Sequence, residues 1–337
     1  QTCQAAKMTH KPRVKLKVGT KSVEAAFKAD HPFKMVAADT QGPIRPSREG
    51  YTYLFTSLDY HTRLTSVCAL HSNRSAETAG AFQTCYASKP VQVCRTDNGP
   101  EFQGTEFQTL MRERGIQHLA SQPHEPTTNS LMERYHRDLN AGTKAIIYEA
   151  NAPRALFWTD AVIYWNLCRN RSVRQASGKT AYEVLTGHPY QDQLPIWGGL
   201  VYYKVKVDGF NKDGPGDKYA PSARPGIFLG RMANGAGKIL DLEDLQQDFK
   251  INVRLTANFQ QPEPVVFPFR DPSLHDAAQG QPGAMEDVFP TCKTCTKLVM
   301  PDQPLLCGAC NGKHRPHDHR KGWCAKARCS CTHPAID

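Results

Sequence analysis

Short apolar runs separated by turn or charged residues dominate the chain between residues 31 and 120. Such runs predict strands, here at residues 33–38, 51–58, 65–70 and 90–96. Two stretches between and after them have apolar residues at helical spacing, at residues 75–88 and 105–114. Strands followed by alternating strand and helix indicate an α/β domain built on a mixed sheet.

Longer helical patterns follow. Residues 121–128 contain two prolines and are predicted to form a loop. Helices are then predicted over residues 129–150, 153–171 and 180–186, the last ended by Gly187. In the second of these, Trp158 and Trp165 are expected in the core because the helix is apolar nearly all round.

After Pro195 the apolar period changes to two. Val201, Tyr203, Val205 and Val207 alternate with Tyr202, Lys204, Lys206 and Asp208, and a similar alternation returns at residues 251–255. Short strands with glycine turns between them predict a small β-barrel over residues 195–260. Residues 261–290 contain six prolines and five acidic residues, a composition typical of a linker.

Composition narrows the class of protein. The 337 residues carry a formal charge of +10 and are 39% hydrophobic, which excludes global disorder and indicates several modules. No apolar run approaches the roughly 20 residues that span a bilayer, so no membrane partner is expected. Residues 1–30 hold seven basic and two acidic residues and show no secretory signal.

The 12 cysteines are unevenly placed: five are scattered and seven lie between Cys292 and Cys331. The tail over residues 291–337 contains two CxxC pairs separated by eleven residues, and four thiolates at such spacing predict a Zn²⁺ site. Its expected ligands are Cys292, Cys295, Cys307 and Cys310. A second zinc site is expected from Cys324, Cys329 and Cys331 with His319 or His333. Free or disulfide-bonded cysteines are the alternative.

Three carboxylates are candidates for catalysis. Asp39 and Asp97 each end a predicted strand, and Glu133 lies near the start of the long helix. If the first and fourth strands are neighbours and the helix packs against them, these hard oxygen ligands suit Mg²⁺ or Mn²⁺. A structural alternative is that Ser130 and Glu133 form a capping box.

The long helix also presents a polar row beside Glu133. Arg137, Asn140 and Lys144 lie within about 40° of the same line at 100° per residue, with His136 next to it. Such a row suits contact with a DNA backbone, although most charged rows are solvated helix faces.

Together these residues resemble a family. TDNGPEF at residues 96–102, followed by PHEPTTNSLMER at 123–134, resembles the catalytic core of retroviral and retrotransposon integrases, and more narrowly copia-type elements. Gly42-Pro43 after Asp39 and Phe157-Trp158 are similar to that family as well. The resemblance implies an RNase H-like core over residues 31–190, an SH3-like barrel over 195–260, and DNA strand transfer with Asp39, Asp97 and Glu133 as metal ligands. Residues 1–30, with Cys3 and Lys7, resemble the remnant of an amino-terminal zinc module.

The resemblance further implies DNA as the partner, more than one protomer, and action in the nucleus after a cytoplasmic particle. Two other functions stay open on the residues alone. One is a catalytically inactive, element-derived DNA-binding protein. The other is an interaction protein whose functional part is the zinc-binding tail. Joining of DNA ends, metal binding without joining, and the zinc content of the tail distinguish them.

Overall fold

The computed structural model describes residues 29–120, 130–204 and 223–279, with the backbone alone for residues 305–307 and 312–314. The chain divides into two compact units, Gln1–Gln279 and Gly280–Asp337. Most of the basic amino-terminal segment, the loop over residues 121–128 and the side chains of the predicted zinc ligands lie outside the described residues.

The first sheet has five strands, and each predicted strand is present. They are β1 (Met35–Gln41), β2 (Tyr53–Asp59), β3 (Thr65–Leu70), β4 (Val93–Thr96) and β5 (Gln117–Ala120). The spatial order is β3-β2-β1-β4-β5. The first three strands are antiparallel neighbours, whereas β4 is parallel to β1 and β5 is parallel to β4. This is a mixed sheet, in which the first and fourth strands are neighbours as expected.

Helices flank the sheet. They are α1 (Ser75–Tyr86), α2 (Pro100–Gln103), α3 (Thr105–Glu113), α4 (Ser130–Ala150), α5 (Arg154–Ser172) and α6 (Ala181–Thr186). The sequence pattern predicts all of them except the single-turn α2. A capping box is present at the start of α6, where Thr180 and Glu183 bond each other's backbone, and Gly187 ends that helix in the left-handed region.

Aromatic residues fill the core between the sheet and helices α1 and α3. Phe55 on β2, Phe82 on α1 and Phe107 on α3 are fully buried, and neighbouring rings meet edge to face. Burying each such side chain contributes on the order of 2–3 kcal/mol. This core holds β1 and β4 in place beneath the candidate site.

Helix α5 buries polar groups as well as the expected apolar ones. Trp158 is buried and donates its indole N–H to the carbonyl of Arg45, while Trp165 is only partly buried. Asn166 and Asn170 are also buried and bond Thr65 on β3 through both side-chain and backbone atoms. The expectation of a helix apolar nearly all round is therefore wrong on this side, where hydrogen bonds join α5 to the sheet.

A second, antiparallel sheet follows. Its strands are β6 (Leu200–Lys204), β7 (Ala223–Arg231), β8 (Gly237–Asp241), β9 (Val253–Thr256) and β10 (Phe259–Gln260), in the order β10-β6-β7-β8-β9. Val201 and Tyr203 are buried and Tyr202 between them is exposed, as the period of two predicts. One helix, α7 (Leu242–Asp248), lies between β8 and β9 and was not predicted.

The segment predicted as a linker is partly folded. A 3-10 turn at Pro268–Arg270 and a helix α8 at Pro272–Gln279 occupy part of residues 261–290. Phe269 is fully buried, with its ring 5.4 Å from that of Phe157, and Arg270 donates to the carbonyl oxygen of Glu149 at 2.8 Å. Average composition misled the prediction here, because a few apolar anchors suffice to attach a proline-rich segment to a core.

In the second unit the described backbone is an antiparallel pair, β11 (Leu305–Cys307) and β12 (Gly312–His314). No helix in the described ranges is long and apolar enough to cross a membrane.

Candidate active site

Asp39 and Asp97 lie at the same edge of the first sheet. Ala37 on β1 is opposite Arg95 on the parallel strand β4, and each aspartate lies two residues further along its strand direction. Neighbouring parallel strands end at a common edge, so the register brings the two carboxylates together. Asp39 and Asp97 are therefore close to each other, as the strand pattern predicts.

Asp39 lies in a protected position at that edge. Its side chain is 18% exposed, with Oδ2 at 3.7 Å from Nδ1 of His136, and Oδ1 accepts a hydrogen bond from the backbone N–H of Thr40 at 2.8 Å. Burial, and then the negative charges of Asp97 and Glu101, raise the pKa of Asp39 to about 7. A cation at this position would reverse that shift, because positive charge favours the ionised carboxylate.

Asp97 is held by its own loop and by the strand before it. Its Oδ1 accepts the backbone N–H of Gly99 at 2.9 Å. The hydroxyl of Thr96 donates to the Asp97 carbonyl at 2.7 Å and lies 2.8 Å from Nε2 of His118. Burial lowers the pKa of His118, so the ring is neutral at pH 7. Because the Thr96 hydroxyl donates to the Asp97 carbonyl, its oxygen can accept a hydrogen bond from Nε2 of His118.

A third carboxylate at this edge, Glu101, was not among the predicted site residues. It lies on α2 and is 7% exposed, and its Oε1 accepts a hydrogen bond from the hydroxyl of Thr40. The sequence does contain a signal, since Glu101 belongs to the same TDNGPEF segment as Asp97. That signal is insufficient because an acidic residue before a helical run is ordinarily exposed.

Glu133 lies in the first turn of α4 and its side chain is exposed. Three residues further on, Nε2 of His136 is 2.8 Å from the hydroxyl of Thr56 on β2. Asn140 donates to Gln41 at 3.2 Å. The face of α4 that carries His136 and Asn140 therefore packs on the sheet edge next to Asp39. Glu133 lies about one helical turn before His136 on the same helix. The convergence of Glu133 with the two aspartates stays a prediction.

The predicted DNA-binding row separates into two pairs. Arg137 and Lys144 are exposed, as a phosphate contact requires. His136 and Asn140 instead have the protein partners just described. Burial lowers the pKa of His136 to about 4, so its ring is neutral at pH 7 and provides no charge for a phosphate.

The donor chemistry of the site fits a divalent cation of the Mg²⁺ class. Asp39 and Asp97 supply carboxylate oxygens, which Mg²⁺ and Mn²⁺ prefer. Within residues 29–120, 130–204 and 223–279, however, no group of three or more His, Cys, Asp or Glu side chains is arranged closely enough to hold a metal ion. Two aspartates accord with Mg²⁺, which usually binds one or two carboxylates and keeps several non-protein ligands.

Comparison with known proteins gives a family match over part of the chain. Residues 29–126, which contain Asp39, Asp97 and Glu101, match the model of the family described as "Integrase core domain". The "Retrovirus-related Pol polyprotein from transposon 412" of Drosophila melanogaster is 27% identical over 161 residues, which are 47% of this chain and 13% of that polyprotein. The corresponding polyprotein from transposon RE1 of Arabidopsis thaliana is 24% identical over 242 residues, which are 70% of this chain and 16% of that one.

The chain therefore spans about one seventh of the length of the curated relatives it matches. Among solved structures, the chain is similar to the HTLV-2 integrase catalytic core domain in complex with magnesium, with a TM-score of 0.38 and 22% sequence identity. The match covers 46% of this chain and 97% of the HTLV-2 chain. It is also similar to the catalytic core domain of BIV integrase, with a TM-score of 0.39 and 18% sequence identity. That match covers 46% of this chain and 95% of the BIV chain.

Proposed function

We propose that this chain, which matches the integrase core domain model over residues 29–126, joins the ends of retrotransposon DNA to target DNA by metal-dependent transesterification. The observation that carries the proposal is the meeting of Asp39 and Asp97 at one edge of a mixed sheet, on neighbouring parallel strands. The copia type of the element is proposed on the sequence resemblance alone.

In the proposed reaction, a 3′-hydroxyl of element DNA attacks a target phosphodiester in line, and the displaced oxygen leaves with the other target fragment. Asp39, Asp97 and Glu133 are the residues that would hold Mg²⁺ or Mn²⁺. When bound, the cations would increase the nucleophilicity of the attacking oxygen and stabilise the leaving oxygen.

The chain's own contribution is to orient these carboxylates. The N–H of Thr40 holds Oδ1 of Asp39, and the N–H of Gly99 holds Oδ1 of Asp97. Both donors belong to the backbone at the end of a strand, so the carboxylates are positioned before substrate arrives. Water in place of the 3′-hydroxyl would give end processing at the same site.

A strand-transfer assay with labelled duplex ends and Mg²⁺ tests this function. Because catalysis here depends on positioning and charge stabilisation, Asp97→Asn and Glu133→Gln should each lower the joining rate by about 100-fold or more. Glu113→Gln, which removes an exposed charge from α3, is the matched control and should join at the wild-type rate. Joining by Asp97→Asn or Glu133→Gln at the wild-type rate would reject that residue as a ligand. Metal binding without any joining by the wild type would instead favour the element-derived DNA-binding protein.

The partners and location follow from the same proposal. DNA is the substrate, more than one protomer is needed because two DNA ends are joined together, and the reaction belongs in the nucleus after a cytoplasmic particle. The second sheet is proposed to be an SH3-like barrel. Its antiparallel strand order β10-β6-β7-β8-β9 supports a small all-β module there.

Zinc in the cysteine-rich tail is proposed on the two CxxC pairs alone. Metal analysis of the purified full chain should find one or two Zn²⁺ per molecule. Cys292→Ser should lose one of them, whereas Cys168→Ser, on α5 in the first unit, should lose none. A wild-type chain without zinc would reject the prediction and would leave the tail's cysteines as thiols or disulfides.

A further inference from the structure

Thr40 binds two carboxylates at once. Its backbone N–H donates to Oδ1 of Asp39 at 2.8 Å, and its hydroxyl donates to Oε1 of Glu101. Thr40 therefore links the proposed metal ligand on β1 to a glutamate on α2, sixty-one residues further along the chain. Fixing the Thr40 side chain also restrains the peptide that holds Asp39.

Glu101 and Asp97 both approach Gly99. A β-carbon placed on Gly99 would lie 2.7 Å from Oε2 of Glu101 and 2.9 Å from Oδ1 of Asp97. Both oxygens therefore lie against the same glycine, and only a residue without a side chain leaves room for them. Glu101 thus contacts Thr40 with one oxygen and faces the Asp97 loop with the other.

Among the residues that the structure describes, the side chain of Glu101 lies beside acidic groups and not beside basic ones. No ion pair joins Glu101 to an Arg, Lys or His in the part of the chain that the structure describes, although the residue is only 7% exposed. A buried carboxylate ordinarily has a basic partner or a metal. Here the known neighbours are a hydroxyl and two further acidic groups, which leaves a local excess of negative charge.

We propose that Glu101 is a positioning residue of the same site, which raises the affinity of Asp39 and Asp97 for a divalent cation. It acts by holding Thr40 in place and by adding negative charge next to the two ligands. The inference rests on the proposed metal-dependent function but assigns a role to a residue outside the predicted Asp39, Asp97 and Glu133 set. It concerns binding of the cation, which is measurable without DNA.

Direct titration of the metal-free full chain with Mn²⁺, by calorimetry or by the electron paramagnetic resonance of free Mn²⁺, measures this role. Glu101→Gln keeps an oxygen that accepts from Thr40 and removes the charge. Thr40→Val removes the hydroxyl and keeps the charge. Glu106→Gln removes an exposed charge from the next helix and is the control.

Residues that support metal ligands ordinarily change affinity by about 10- to 100-fold when substituted. We expect Glu101→Gln to weaken Mn²⁺ binding by a factor in that range and Glu106→Gln to leave it unchanged. Thr40→Val should weaken binding as well, because it removes the hydroxyl through which Glu101 is joined to the peptide that holds Asp39. The Tm of metal-free Glu101→Gln should equal or exceed that of the wild type, since like charges no longer repel.

A purely structural role gives the opposite pattern: a lower Tm without metal and wild-type affinity for Mn²⁺, which would overturn the inference. The failure of the proposed function is seen separately in the wild type. If the wild-type protein binds Mn²⁺ but joins no DNA, the proposed strand transfer is wrong. The role of Glu101 is then decided by the Mn²⁺ titration alone. Wild-type protein that binds no Mn²⁺ overturns both.

Discussion

Burial and two neighbouring carboxylates raise the pKa of Asp39 to about 7 in the metal-free protein. The shift means that the folded state disfavours ionised Asp39, whereas the unfolded chain ionises near the ordinary value of 3.8. A site built to hold a cation has this property, because the arrangement that concentrates negative charge for the metal is unfavourable without it. Without a bound cation, Asp39 is therefore expected to lower the stability of the folded protein at neutral pH.

Asp39→Asn tests this cost as a function of pH. Between pH 3.8 and pH 7 the unfolded wild type loses a proton that the folded state keeps, so the free energy of unfolding falls as pH rises, by up to about 4 kcal/mol in all. Above pH 7 the full cost remains, and Asn at this position avoids it. Urea denaturation in the presence of a chelator should find Asp39→Asn more stable than the wild type at pH 8, and by a smaller margin at pH 5.

The exposed Asp248→Asn is the control and should show no such pH-dependent gain. If Asp39→Asn differed from the wild type by the same amount at both pH values, the raised pKa would be wrong.

At the scale of elements, the packing of α4 on α5 depends on a glycine. A β-carbon on Gly142 would overlap the indole of Trp165, so the two helices approach closely only because this position has no side chain. The same packing directs the other face of α4 onto the sheet edge, where His136 lies 3.7 Å from Asp39. Close helix packing and the position of the candidate site are therefore linked through α4.

Gly142→Ala and Gly80→Ala are a matched pair of helix substitutions with opposite expected signs. Alanine at Gly142 should lower the free energy of unfolding by about 1–3 kcal/mol, because overpacking outweighs the better helix propensity. Gly80 on α1 has no atom within 4 Å of an added β-carbon, so alanine there should raise it by about 0.5–1 kcal/mol. Urea denaturation of both variants measures the two signs. A gain in stability at Gly142 would show that Trp165 does not limit the approach of α4 and α5.

At the scale of the whole first unit, one buried aspartate joins the two sheets. Asp160 on α5 pairs with Arg48, from the loop between β1 and β2, and with Lys238 on β8 at 2.5 Å. The aspartate is 4% exposed and the Arg48 side chain 9%, so the charges depend on one another. Phe269 against Phe157 adds an apolar contact from the segment that follows the second sheet.

Asp160→Asn should lower the free energy of unfolding by up to about 3 kcal/mol, because it removes one of the two carboxylates that pair with buried Arg48 and leaves only the more exposed Glu49. Lys238→Met should cost less, on the order of 1 kcal/mol, since the Asp160–Arg48 pair remains and the Lys238 side chain is 30% exposed. Chemical denaturation of the two variants provides the comparison. If Lys238→Met lowered the free energy of unfolding by as much as Asp160→Asn or more, the ion pair with Lys238 on β8 would be the more important of the two.

Local patterns were enough for most strands and helices of the first sheet and the helices that flank it. The apolar runs that became β1 to β4 and the helical spacing that became α1 and α3 to α6 are recognisable because a repeat of 2 or 3.6 residues lies within one element. The same reasoning found Asp39 and Asp97, since both follow directly on apolar strands. Two four-residue elements, α2 and β5, were missed because their sequences, PEFQ and QHLA, contain no apolar run; β4 is equally short but lies within the apolar run PVQVCRT.

Contacts between distant segments required the tertiary structure. Sequence spacing does not show that Glu101 is buried against Thr40, that His136 faces Asp39, or that Phe269 anchors a proline-rich stretch to α5. Each depends on how two elements pack, and local periodicity carries no information on the partner. The sequence by itself therefore determined the strands, the helices and the two aspartates at the strand ends. Only the packing of α2 and α4 on the sheet edge decided which further side chains surround them, because burial at that edge comes from residues far apart in the chain.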